Sequence, residues 1–221
     1  MPELKLENVC YQYKRGDRNV VNAVTCQFEG GKLNAVIGPS GSGKTTLLSL
    51  LAGLDQPTQG QIVIDGEPLA GLDLDQYRRE RVSMIFQAFQ LFTLLTALEN
   101  VCFPMQLNGG AKEKTSEKAK TLLASVGITE DKAKRFPANL SGGEQQRVAI
   151  ARALATGARM LLADEPTGNL DKANGENVVE ILQQLAHEQG YCIIIVTHDP
   201  AIAERCDRVW RMSDGVLKEE K

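Results

Sequence analysis

The sequence predicts an α/β fold built on a mainly parallel sheet, and three observations carry that prediction. Two continuous apolar runs, Met160–Ala163 and Tyr191–Val196, have the composition of strands covered on both faces, as parallel sheets require. Segments with helical periodicity, notably Ser116–Val126, Glu144–Ala155 and Ala173–His187, alternate with the strand-like runs. A further run, Lys32–Ile37, leads directly into a glycine-rich turn and then a helix over Lys44–Leu51.

The remaining elements follow in order. Leu4, Leu6 and Val9, then Val20–Phe28, alternate as strands, with Lys14–Asn19 as a charged turn between them. Gln61–Ile64 and Val82–Phe86 read as further buried strands. From about Gln87 to Ala155 no strand is expected, so this stretch reads as a helical insertion between two sheet strands. Within it, Asn108-Gly109-Gly110 and the charged Ala111–Lys120 predict a solvated loop entering an exposed helix. Lys218–Lys221 reads as a short, frayed charged tail.

Composition narrows the functional classes. The chain has 221 residues, 43% of them hydrophobic, enough for a proper core and too many for a disordered chain. Its 25 basic and 28 acidic side chains give a net charge of -3, which disfavours a nucleic-acid binder working by broad phosphate neutralisation. The longest strictly apolar run, Cys192–Val196, falls far short of the roughly 20 residues of a membrane span. The opening Met1-Pro2-Glu3-Leu4-Lys5 has no signal-peptide core, so neither a span nor an export signal is expected. Five cysteines, with no C-x-x-C spacing, predict small buried hydrophobes in a reducing compartment.

Gly38-Pro39-Ser40-Gly41-Ser42-Gly43-Lys44-Thr45 is a complete G-x-x-x-x-G-K-[ST] motif placed between a strand and a helix. Its glycines let the backbone curl so that N–H groups face phosphate oxygens, and the following helix adds its positive end. Lys44 is placed to reach the β- and γ-phosphates and the Thr45 hydroxyl to ligate Mg²⁺, with Thr46 completing the nucleotide-binding stretch. A second apolar strand ends in Asp164-Glu165, delivering two carboxylates where such sheets hold ligands. Successive strand residues point to opposite sides, so the two acids divide their roles. Asp164 is the Mg²⁺-orienting residue and Glu165 the general base that polarises the attacking water.

Leu140-Ser141-Gly142-Gly143-Glu144-Gln145-Gln146-Arg147 has the spacing of a capping box opening an Ala-rich helix. Two glycines in the first turn are poor helix formers, which suits a place where an anion approaches bare amides. With this motif the chain resembles the ATP-binding subunits of ATP-binding cassette transporters over essentially its whole length. Gln87 matches that family's Q-loop glutamine, Asn169-Leu170-Asp171 its D-loop, and His198 in Thr197-His198-Asp199 its switch histidine. Tyr13 stands where the adenine-stacking aromatic is expected, with Tyr11 two residues away as the alternative.

The resemblance implies a P-loop ATPase cassette with a RecA-like parallel-sheet core, an N-terminal antiparallel β-subdomain and an inserted α-helical subdomain. One ATPase domain would cover 1–221, with 1–86 and 156–221 as core and β-subdomain, and 87–155 as the Q-loop and signature-bearing helices. It further implies a head-to-tail dimer with a second copy or a paralogous subunit, closing on two ATP and Mg²⁺. Ser141, Gly142 and Gly143 of one chain would then meet the γ-phosphate held by the other, and Asp171 would lie at the dimer contact. Gln87 would approach the metal or water, and His198 the γ-phosphate.

Phe86, Phe89, Phe92 and Phe103 crowd into a short stretch, with Leu91, Leu94 and Leu95 between them. In the family this region receives a helix of the membrane subunit, so a permease is expected to dock near Phe89–Leu95 and to hold the chain at the inner face of the cell membrane. Gly53–Thr58, Leu94–Val101 and Ala163–Asp171 resemble a bacterial group that serves lipoprotein release, macrolide export and antimicrobial-peptide resistance. Export or mechanical mobilisation of a lipoprotein, peptide or drug is therefore the leading expectation. A small-solute importer is the second, and a soluble cassette acting on nucleic acid or ribosomes the least favoured.

Overall fold

Strand β1 (Glu3–Tyr11) pairs antiparallel with β2 (Val21–Glu29), setting Leu4 opposite Phe28 and Leu6 opposite Cys26. The three-residue step from Leu6 to Val9 in the apolar pattern is a register shift, with Asn8 at φ 51°. The computed structural model describes residues 1–14 and 17–221, so the charged turn expected at Lys14–Asn19 lies partly outside the described residues. Strand β3 (Lys32–Ile37) opens a second sheet and runs through the glycine-rich loop into α1 (Lys44–Leu51). The chain returns to the first sheet with β4 (Gln59–Ile64) and β5 (Glu67–Pro68), giving the order β2-β1-β4-β5.

Helix α2 (Leu74–Glu80) leads to β6 (Val82–Phe86) of the second sheet. Four helices follow before the next strand: α3 (Ala97–Leu107), α4 (Lys112–Ser125), α5 (Glu130–Ala133) and α6 (Gly142–Ala155). Strand β7 (Met160–Asp164), helix α7 (Lys172–Gln189) and β8 (Cys192–Val196) bring the chain back to the sheet. A short α8 (Pro200–Glu204) precedes β9 (Arg208–Ser213) and β10 (Val216–Glu219). The six-stranded order is β10-β9-β3-β8-β7-β6, parallel except for the edge hairpin. This is the expected α/β architecture, with a parallel sheet, an antiparallel sheet and helices.

Burial explains the layering. Every residue of β8 is buried. Ile193 and Ile195 join one apolar cluster with α3, α4, α6 and α7, while Cys192, Ile194 and Val196 join a second with α1 and the antiparallel sheet. The five cysteines are all buried and free, as expected of small hydrophobes, and burial pushes the thiols of Cys26, Cys192 and Cys206 up to about 12.

The end of the chain corrects one expectation. Lys218 and Glu219 belong to β10, and Lys221 is anchored by its ammonium to the carbonyls of Glu204 and Cys206 at 3.1 and 2.9 Å. The β9–β10 turn is Asp214-Gly215, both left-handed, at φ 48° and 79°, as a tight hairpin demands. That turn also supports the glycine-rich loop: Gly215 N–H donates to Ser42 O at 3.2 Å, and Asn22 N–H donates to Gly215 O at 2.8 Å.

Tyr77 of α2 illustrates how the second cluster closes. Its ring is buried, and its hydroxyl donates to the Leu51 carbonyl at the end of α1 at 2.6 Å. Tyr77→Phe should lower stability by about 1–3 kcal/mol in urea unfolding, because a buried carbonyl loses its donor. Nucleotide binding by the folded variant should be unchanged.

Candidate nucleotide site

Strand register assembles the site. Phe86 of β6 pairs with Asp164 of β7, Asp164 with Val196 of β8, and Val196 with Val36 of β3. The residues that follow (Gln87, Glu165, Thr197-His198 and the loop from Gly38) therefore leave the sheet along one carboxyl edge, where open parallel sheets bind ligands. Of these, Gln87, Glu165, His198 and Gly38 line a cleft of ≈ 440 Å³ together with Asp164, Ser40, Gly41, Gly43, Lys44, Thr45, Thr46, Val20 and Val196. Val20 and Val196 were not among the sequence candidates. Apolar side chains at a strand end carry no chemical signature, and only their position in the cleft marks them.

The loop has the shape of a phosphate cradle. Gly38 has φ 154°, and a Cβ there would lie 2.1 Å from Met212 O. Gly43 caps α1 at φ 107°, and a Cβ would lie 2.5 Å from Val20 O. Only glycine serves at either position. No side chain caps α1, so its first amides remain available to an anion. Lys44 Nζ donates to the carbonyls of Gly38 and Pro39 at 2.8 and 2.9 Å, which holds its charge over the loop. Ser42 is buried, and its Oγ has no hydrogen-bond partner among the described residues. It supports the loop from beneath rather than lining the cleft.

The two carboxylates diverge for a reason beyond the strand pleat. Asp164 ends β7, whereas Glu165 takes up a left-handed conformation at φ 47° while its N–H donates to Val196 O at 2.9 Å. Such a conformation is strained for a non-glycine residue and is held by its surroundings. His198 Nδ1 lies 2.7 Å from Glu165 Oε1, and the His198 N–H donates to Oε2 at 3.4 Å. Burial raises the carboxyl pKa of Asp164, the Glu165 charge raises it further, and Lys44 opposes both.

The donor set fits Mg²⁺ with a nucleotide. Thr45, Asp164 and Gln87 supply a hydroxyl, a carboxylate and an amide oxygen, and all three line the cleft. Among the described residues no group of three or more His, Cys, Asp or Glu could hold a metal unaided. Mg²⁺ favours this arrangement, taking one or two protein oxygens and completing its shell with phosphates and water. A larger hollow of ≈ 800 Å³ at the other end of the sheet carries Glu3, Glu29 and Asp65. Its Arg159 is engaged by Gln189 O and the Tyr191 ring, so the hollow offers an anion little.

Tyr13 lies beyond the end of β1, half-exposed, with its hydroxyl 2.9 Å from Thr46 Oγ1. Tyr11 lies within β1, and its hydroxyl donates to Asp55 Oδ1 at 3.1 Å. The two rings meet edge to face at 5.0 Å. Tyr13 is thus the aromatic beside the cradle, and Tyr11 supports it.

Ser141, Gly142, Gly143 and Asp171 do not line this cleft. Ser141 and Glu144 form the capping box: Glu144 N–H donates to Ser141 Oγ at 3.3 Å, and Ser141 N–H to Glu144 Oε2 at 2.8 Å. Lys132, 2.8 Å from Glu144, holds that carboxyl below the usual range, and the Ser141 bonds add to the effect. Gly143 also has a packing role that the sequence did not disclose. A Cβ there would lie 2.2 Å from Asn174 Oδ1, and the Asn174 amide donates to Asp171 Oδ2 at 2.7 Å.

The fold and this cleft define a P-loop nucleotide hydrolase. Residues 21–168 match the profile of the ABC transporter family, and the chain belongs to that family. It is an ATPase of this type, with ATP as its nucleotide and Mg²⁺ as the usual associated ion. A macrolide export ATP-binding/permease protein MacB of Bradyrhizobium diazoefficiens is 46% identical over 225 residues, covering 100% of this chain. The chain spans only 34% of that relative's length. The lipoprotein-releasing system ATP-binding protein LolD of Chromohalobacter salexigens is 41% identical, covering 98% of this chain and 93% of its own. A solved dimeric cassette in a post-hydrolysis state, bound to ADP and Pi, superposes with a TM-score of 0.89 at 40% identity, covering 99% of this chain and 98% of that one.

Gly143→Ala tests the packing of the signature turn against Asn174. The variant should bind a fluorescent ATP analogue within about twofold of wild type, because its own cradle is untouched. Its ATPase rate should fall on the order of 10²-fold, the scale of an ångström-sized misplacement.

Proposed function

We propose that this chain dimerises head-to-tail around two ATP molecules and drives a membrane permease that mobilises a lipoprotein, peptide or drug outward. The observation that carries this reading is the separation within one chain of two half-sites. The cradle, Asp164, Glu165 and His198 share one cleft, while the capped turn Ser141–Gly143 lies outside it. In the capping box Ser141 Oγ acts as acceptor, so its hydroxyl proton remains free for a partner's γ-phosphate. The positive end of α6 would add to that contact. The dimeric cassettes among similar solved structures support the pairing.

Within each cleft Lys44 would exchange its two loop carbonyls for β- and γ-phosphate oxygens. Mg²⁺ held by Thr45, Asp164 and Gln87 would offset the charge that develops on the phosphates. Glu165 would take the proton of the attacking water, its carboxylate held in place by the left-handed turn and by His198. His198 would orient that water against the γ-phosphate, and Tyr13 would stack on the adenine. Asp171, at the start of α7, would report the state of one site to the other across the dimer contact. Loss of the γ-phosphate removes the bridge, so closure follows ligand state as a population shift.

The permease face adjoins the same machinery. The Phe92 and Phe103 rings meet at 4.7 Å, tilted by 54°, and are partly exposed, and Leu94 is 87% exposed. Arg152 sits 5.8 Å from the Phe92 ring and lines an adjacent groove of ≈ 290 Å³ with Leu54, Met84 and Phe86. Leu91, by contrast, packs against the core. Among the described residues no helix is long and apolar enough to cross a membrane. The names of the MacB and LolD relatives support export or release as the direction of work.

Glu165→Gln should elute as a dimer in gel filtration with excess ATP and as a monomer without it. A protein that stays monomeric at saturating ATP would overturn the reading. Leu94→Glu should keep the basal ATPase of the isolated chain within about twofold, since surface substitutions cost little, while abolishing co-purification with the permease.

A further inference from the structure

We propose that Asn169 is a positioning residue that fixes the orientation of the Gln87 amide and so links the permease-facing segment to the metal side of the cleft. The inference rests on the functional reading above, in which Gln87 serves the metal.

The contact runs in both directions. Asn169 Nδ2 donates to the Gln87 backbone carbonyl at 2.9 Å, and Gln87 Nε2 donates to Asn169 Oδ1 at 3.3 Å. The first bond sets which end of the Asn169 amide faces Gln87. The second then selects one of the two orientations of the Gln87 amide, because the reverse would oppose two oxygens. Nε2 is committed to Asn169, and Oε1 is left as the free, hard oxygen that a Mg²⁺ site uses. Gly168 leaves the room this geometry needs, since a Cβ there would lie 2.7 Å from Gln87 Nε2.

Both partners sit at junctions. Gln87 follows Phe86, which lines the groove, and precedes Phe89 and Gln90, both in left-handed conformations. Arg152 Nη2 donates to Phe89 O at 3.1 Å, and Nη1 donates to Gln90 O at 2.5 Å. On the other side, Asn169 O and Leu170 lie 3.8 and 3.6 Å from where a Cβ on Gly142 would stand. A displacement of the groove segment would thus reach the Gln87 amide and the signature turn through one asparagine. An alanine at 169 makes neither bond, and an aspartate would set a carboxylate against the Gln87 carbonyl.

The test uses the full chain carrying Glu165→Gln, with ATP present and Mn²⁺ as the probe, free metal being read by electron paramagnetic resonance. Asn169→Ala should weaken Mn²⁺ retention about tenfold, the lower end of what lost outer-shell partners cost. Gln87→Ala should weaken it equally, and the double variant no further, because the two act as one unit. Gly168→Ala should weaken retention as well, by displacing Nε2. Unchanged retention in Asn169→Ala, or losses that multiply in the double variant, would overturn the role of Asn169 alone. If the Glu165→Gln parent itself holds no Mn²⁺ with ATP, the functional reading falls and this inference with it.

Discussion

The register of four parallel strands is the constraint on which the rest depends. Phe86, Asp164 and Val196 stand in one row across β6, β7 and β8, with Val36 of β3 beside them. Each strand ends at the same level, so four loops from distant parts of the sequence open at one edge. A slip of one residue would turn Asp164 to the other face of the sheet and bury the wrong half of β8. Apolar burial on both faces forbids that slip, because Ile193 and Ile195 fill one cluster while Ile194 and Val196 fill the other. The packing that stabilises the sheet is therefore the same packing that aligns the carboxylates.

Around that fixed edge the coupling elements are small or polar. Gly143 packs beneath Asn174, Gly168 beneath Gln87, and Gly142 beside Leu170. Close approach at these points brings the starts of α6 and α7 and the loop after β6 into mutual contact. Elements packed this tightly shift between discrete arrangements rather than deforming smoothly, the behaviour that the proposed closure would require.

Much of this was legible in the sequence, and the parts that were not share a cause. The strands Lys32–Ile37 and Val82–Phe86 and the helix Lys44–Leu51 are read with their observed bounds, because each is bounded by strong turn or motif signals. The β9–β10 hairpin went unread although Asp214-Gly215 between two alternating runs is its signature. The charged residues Lys218 to Lys221 masked it, since an edge strand tolerates charge on its open side. Short α2 went unread, and the capped α3 was covered only as an undivided part of the helical insertion, their apolar faces too brief to establish a period. At the site, the phosphate loop and both acids were found from motif and strand pattern, Gln87 and His198 from the family resemblance, and they fall in one cleft. What spacing could not disclose were partners: His198 against Glu165, Asn169 against Gln87, and Gly143 under Asn174. Pairings across long separations are set by the fold and carry no local pattern.

The β9–β10 hairpin ties the cradle to a distant part of the chain. Gly38 is pressed against the backbone of Met212, and Ser42 O accepts from Gly215 N–H, so the loop leans on strands far along the sequence. Contacts of such long sequence separation form late in folding, after the entropy of closing the intervening chain has been overcome. The phosphate loop therefore takes its final shape only once the β9–β10 hairpin has folded against it. Nucleotide capture is in that sense coupled to assembly of the whole sheet, from β3 to its edge hairpin.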